Sequence, residues 1–278
     1  MHADVIFACR VPGIPGEGVC SGCWWIRAHH MNWNVVSNGG MTIAALALAD
    51  VPRYASVAKE ALKFAREGIP LALSGYGPSG DGAWPEGPGY WVYTTKWLLA
   101  ETECLYTATG HDNGYMETAG VRDTGLYALQ MYQTPSGVDF NYGDAAEAST
   151  DMEVSSNLLG LAARFPELAE AVGTAARHAL ARSPQHIGDN GWDVIALSLM
   201  RWDGNGGQNS KEGQAADRVK NTSSVADDLH NLHNLHNLHH ADPKMPLAGF
   251  YSAQGVGVVR SGWSSQSSFL GTARHHKE

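Results

Sequence analysis

The feature that most constrains this chain is a run of apolar, Ala-rich segments with helical spacing, each bounded by Gly, Pro or Asn. Apolar residues at i, i+3, i+4 and i+7 share one face only in a helix. A series of such segments joined by loops packs as helix on helix. The first is MTIAALALAD at 41–50, closed by Val51 and Pro52. Residues 54–73 follow, with Val57, Ala61, Leu62, Phe64, Ala65 and Ile69 at the same spacing. Further helices are expected over 90–109, 115–132, 151–164, 166–181 and 193–202. The expected fold is mainly α: an incomplete α/α toroid of antiparallel helix pairs, with loops gathered at one end. Residues 74–89, SGYGPSGDGAWPEGPG, are too dense in Gly and Pro for regular structure and read as one of those loops.

The pattern fails after Trp202. A polar, Gly-rich stretch leads into LHNLHNLHNLHH at 229–240, a period of three that suits neither helix nor strand. His236 and His240 share a face only if that stretch is helical, and a low-complexity linker is the favoured reading. FYSAQGVGVVRSGW at 250–263 then alternates as strands do, with too little chain after it for a sheet of its own. The expected division is an irregular segment at 1–31, the toroid at 32–203, a linker at 204–245 and the start of a β-sandwich at 246–278.

Composition narrows the function. A net charge of −9 argues against a nucleic-acid partner, which calls for a basic face, and fits a heavily sulfated substrate poorly. No apolar run is long enough for a membrane span, and the N-terminus does not read as a signal peptide. Cys20 and Cys23 form a CxxC without a second pair, so no metal site is assigned and no cofactor is implied.

Two segments carry candidate chemistry. NWNVVSNGG at 32–40 offers Asn32, Asn34 and Asn38 beside Trp33. An amide can hydrogen-bond a carboxylate without adding charge, although Asn and Gly also cap helices and make turns. DGAWPEGPGYWVYTTKW at 81–97 presents Glu86 among Trp84, Tyr90, Trp91 and Tyr93. Aromatic rings beside a carboxylate hold sugars well, and the same tyrosines serve equally as core residues. Asp81 and Glu86 also leave open a hydrolase reading, which requires two carboxyls at a set separation.

Together these segments resemble the heparinase II/III-like polysaccharide lyases and the related dermatan sulfate epimerases. Asp81-Gly82, Glu86-Gly87, Tyr90 and Tyr93-Thr94-Thr95 fit that family's DGxxxEGxxYxxYxx stretch position by position. The first segment fits loosely, with Asn34 where many relatives carry His. In order of elements the resemblance covers 24–202 and resumes at 250–271. It implies β-elimination in an acidic, uronate-containing polysaccharide, in a periplasmic or extracellular setting. Carried over by position, Tyr90 is the acid/base, Asn34 neutralises the substrate carboxylate, and Glu86 orients the loop or a sugar hydroxyl. Asn32, Trp33, Asn38, Trp84, Trp91 and Tyr93 are the expected substrate-binding residues. Relatives also use a His from an Asn-His-Gly-His-like stretch of the sandwich, which His275 and His276 do not reproduce. The chain is accordingly expected to be a weakly active fragment, the alternatives being a hydrolase on the same toroid or a glycan-binding piece without activity.

Overall fold

The computed structural model describes residues 28, 31–77, 80–132, 139–143, 151–165, 246–263 and 266–273. Among them run five helices and one small sheet: α1 (Asn32–Leu48), α2 (Ala55–Leu73), α3 (Pro88–Thr109), α4 (Ala119–Tyr132), α5 (Asp151–Arg164), then β1 (Ala248–Tyr251), β2 (Val256–Arg260) and β3 (Phe269–Ala273). The chain is mainly helical, as its periodicity predicts. The helices expected at 166–181 and 193–202, the linker with its His repeat, and Cys20 and Cys23 lie outside the described residues.

Local chemistry sets the helix ends. Pro88 occupies the first turn of α3, where its missing N–H costs nothing, and Gly110 ends the helix in the left-handed conformation with φ 80°. Residues 115–118, expected as helix, are turns instead. Asn113 and Gly114 take positive φ, and Gly114 N–H bonds Asp112 Oδ1, so the chain reverses before α4 can begin. α1 starts earlier than MTIAALALAD suggests, because the Asn-rich segment forms its first turns.

α1 lies between α2 and α3, while α5 packs on α3 and α4. The core between them is led by Ile69, Tyr76, Trp84, Trp91, Leu98, Tyr127 and Met131, all essentially inaccessible to solvent. Asp112 and Arg164 form an ion pair that ties the α3–α4 connection to the end of α5.

The strands form an antiparallel sheet in the order β1-β2-β3, with Tyr251 opposite Val256 and Val259 opposite Leu270. This corrects the expectation that too little chain follows for these strands to close a sheet of their own. The missing layer is supplied by the helices: Tyr251, Val256 and Val258 belong to the same buried cluster as α3, α4 and α5. The Tyr127 and Tyr251 rings meet edge to face at 5.1 Å. Arg260 donates to Gln130 O at 3.1 Å, and Gln130 Nε2 donates to Pro246 O at 2.9 Å.

Candidate functional site

The glycines of the second segment explain why its loop has one shape. Gly82 has φ 81°, and a Cβ there would lie 2.6 Å from the backbone of Asp123 and Thr124 at the start of α4. Gly87 has φ 97°, and a Cβ there would collide with the carbonyl of Tyr142. Both positions demand glycine for conformation and for closeness of backbone to backbone. Asp81 Oδ1 accepts from Ala83 N–H at 3.2 Å and closes its own turn. Trp91 Nε1 donates to Thr124 Oγ1, which donates on to Gly82 O, both at 2.6 Å. The loop is thus fastened to α4 and to the 139–143 segment before α3 begins.

Glu86 is the hub of that loop. Its Oε2 accepts from the Asn32 backbone N–H at 2.6 Å and from Trp84 Nε1 at 2.9 Å, and its Oε1 accepts from Asn32 Nδ2 at 2.8 Å. α1 has no side-chain cap of its own and no acidic residue in its first turn. A carboxylate 54 residues downstream fills that place at the positive end of the helix. With Asp81 closing its own turn and Glu86 anchoring α1, the two carboxyls act as structural acceptors, an arrangement that does not favour the hydrolase pairing.

The asparagines sit in the interior. Asn34 is fully buried. Its Nδ2 donates to Ala28 O at 3.1 Å and Gly68 O at 3.3 Å, and its Oδ1 accepts from Asn38 Nδ2 at 2.7 Å. The expected role of Asn34 as carboxylate neutraliser is therefore corrected. Its amide is held inside the protein by the Ala28 carbonyl, by Gly68 O of α2 and by Asn38 one turn on, so it is not presented to a substrate carboxylate. Asn38 and Asn32 are likewise buried, so neither presents its amide to a sugar. Trp84 and Trp91 are core residues with no exposed surface.

Four of the expected residues do reach solvent: Trp33 at 53% exposure, Tyr93 at 41%, and Glu86 and Tyr90, which are half-buried. Tyr90 and Tyr93 are three residues apart on α3, hence on one side of it. Trp33 follows Asn32, whose bonds to Glu86 bring the start of α1 to the start of α3. Lys96 lies on the same side of α3, its Nζ 6.0 Å from the Tyr93 ring centroid and 3.5 Å from Glu153.

The tyrosine hydroxyls divide into two groups. Those of Tyr76, Tyr127, Tyr132 and Tyr142 are engaged: with Thr95 Oγ1, with each other in the case of Tyr127 and Tyr142, and with Pro88 O for Tyr132. Burial pushes the Tyr76, Tyr127 and Tyr142 phenols well above their ordinary value. Tyr90 packs its ring at the edge of the core, and its hydroxyl has no protein partner among the described residues. The first intrahelical bond of α3 runs from Trp91 N–H to Gly87 O, so the N–H groups of Gly89 and Tyr90 in the same first turn lack helical acceptors.

Sequence reading missed the 139–143 segment. Tyr142 and Gly143 lie against Glu86 and Gly87, and Phe140 meets Phe269 of β3 at 5.9 Å between ring centroids. With five described residues and no periodicity the segment gave no signal except a possible turn at Gly143. No protein-family model matches the chain, and no curated protein matches it.

Proposed function

We propose that this chain is the helical-toroid part of a polysaccharide lyase that cleaves uronate-containing glycans by β-elimination, with Tyr90 as the acid/base. The observation that carries this reading is the state of the Tyr90 hydroxyl. Its loop is fixed by two constrained glycines and a triply bonded carboxylate, yet the hydroxyl at the end of this rigid mount is left without a partner among the described residues.

In the elimination the C5–H and C4–O bonds break and a C4–C5 double bond forms. The C5 proton leaves next to a carboxylate, so negative charge must be stabilised there while the departing oxygen gains a proton. Tyr90 touches the reacting atoms in this scheme and moves the proton. Free N–H groups at a helix start favour a carboxylate, and those of Gly89 and Tyr90 take over the part that Asn34, buried in the interior, does not play. Trp33 and Tyr93 supply exposed rings against which sugar C–H faces pack, and Lys96 adds a positive charge on the Tyr93 side of α3.

The test is the ultraviolet absorbance of the unsaturated product during incubation with alginate, heparan sulfate, chondroitin sulfate or hyaluronan. Slow product formation by the parent chain, lost in Tyr90→Phe at unchanged thermal stability, is the expected result. Hydrolysis products without that absorbance, or full activity in Tyr90→Phe, would overturn the assignment. The phenylalanine variant is expected to fold normally, because the hydroxyl it removes makes no hydrogen bond among the described residues.

A further inference from the structure

We infer that Asn32 and Glu86 form a clamp that positions Tyr90: they are positioning residues for the first turn of α3, not groups that touch substrate. The inference deepens the lyase reading, but the clamp itself is tested without substrate. Glu86 reaches the start of α1 through two bonds to one residue, the backbone N–H and the side-chain amide of Asn32, at 2.6 and 2.8 Å. The same carboxylate takes Trp84 Nε1, so the loop cannot rotate without breaking all three bonds. Gly87 follows immediately as the N-cap of α3, locked against Tyr142, and Tyr90 stands in the first turn of that helix. Any slack at Glu86 is therefore passed directly to Tyr90.

Asn32 also shows which partner sets its orientation. Its side chain is buried, and Oδ1 has no hydrogen-bond partner. A buried acceptor left unmade is costly, and turning the amide over would offer Nδ2 to whatever surrounds Oδ1. The amide holds instead the orientation that serves Glu86. A residue selected to grip a sugar would present this oxygen to solvent.

The experiment is a two-residue cycle on the full chain, read by hydrogen exchange at 32–35 and 86–93, by the ring signals of Tyr90, and by thermal melting. Asn32→Asp sets two carboxylate oxygens against each other where an amide met a carboxylate. An aspartate in the first turn of a helix is otherwise favourable, so any damage comes from Glu86. Exchange in both segments is expected to speed up about tenfold or more, the equivalent of losing one hydrogen bond to a charged group, and the Tyr90 signals to broaden. Adding Glu86→Gln puts an amide opposite the new aspartate and is expected to restore slow exchange, sharp Tyr90 signals and the parent melting point. Acceleration confined to 32–35, with 86–93 and Tyr90 unmoved, overturns the positioning role. A double variant no better than Asn32→Asp overturns the pairing. Where turnover is measured, kcat is expected to fall in Asn32→Asp and recover in the double variant, with KM nearly constant. Loss of turnover in Tyr90→Phe with an intact cycle, or an intact cycle in a chain without turnover, separates the clamp from the lyase reading.

Discussion

Gly87 and Gly110 bound α3, and both have positive φ, at 97° and 80°, yet they carry different loads. Nothing lies within 4 Å of a Cβ built on Gly110, whereas one on Gly87 runs into the Tyr142 carbonyl. Gly110→Ala should cost only the strain of the left-handed conformation, about 1 kcal/mol. Gly87→Ala adds a collision with backbone that cannot swing aside, and is expected to cost about 3 kcal/mol or more. Urea unfolding of the two variants side by side measures the difference. Equal losses would mean that the 139–143 segment yields easily and does not brace the Glu86 loop. At this scale the sequence was informative about type more than about role. A Gly-Pro loop bearing Glu86 and Tyr90 was legible from residues alone. That Asn34 is a core amide was not, because its Nδ2 donates to backbone carbonyls at Ala28 and Gly68, which side-chain chemistry does not announce.

The interface of α1 with α3 holds a buried acid at its centre. Glu101 is 0% exposed, with Oε1 accepting from Thr42 Oγ1 at 2.8 Å and Oε2 without a partner. Gly39 makes the room: a Cβ there would stand 3.4 Å from Oε2. Burial pushes the carboxyl up to about 7 from 4.5, with the Thr42 hydrogen bond working the other way. The folded state then keeps a proton that the unfolded chain releases. The contribution of Glu101 to stability is fully present below about pH 4.5 and is lost as the pH rises through about 7, the full effect being about 3 kcal/mol. Glu101→Gln has no proton to lose, so its unfolding free energy should lack this slope, leaving the variant the more stable of the two above about pH 7. A parent and variant with parallel pH profiles would show that water reaches Glu101 in the folded protein. Elements were the most legible level. The stretches read as helices at 54–73, 90–109 and 151–164 lie within two residues of α2, α3 and α5. The polar ladder of Asn34, Asn38 and Thr42 on α1 disguised the true start of that helix, because buried polar side chains interrupt the apolar period that marks a helix face.

Seen whole, the molecule joins elements that the sequence assigns to separate regions. The five described helices and a late strand meander are each legible by their periods, 3.6 and 2. Their joining is not, since it depends on contacts between residues far apart in the chain, such as Gln130 with Pro246 and Arg260. Tyr251 is the clearest of these. It is 5% exposed, stands on β1, and packs its ring edge to face on Tyr127 of α4. If sheet and helices share one core, removing that ring must weaken the helices as much as the strands. Tyr251→Ala is expected to cost about 3 kcal/mol, the usual loss for an aromatic cut from a packed interior. The loss should appear in the helical far-ultraviolet signal and in the fluorescence of Trp263, beside the sheet, at one and the same denaturant concentration. Two separate transitions, with the helical one unmoved by the substitution, would instead make the sheet a unit that folds by itself and merely rests on α4.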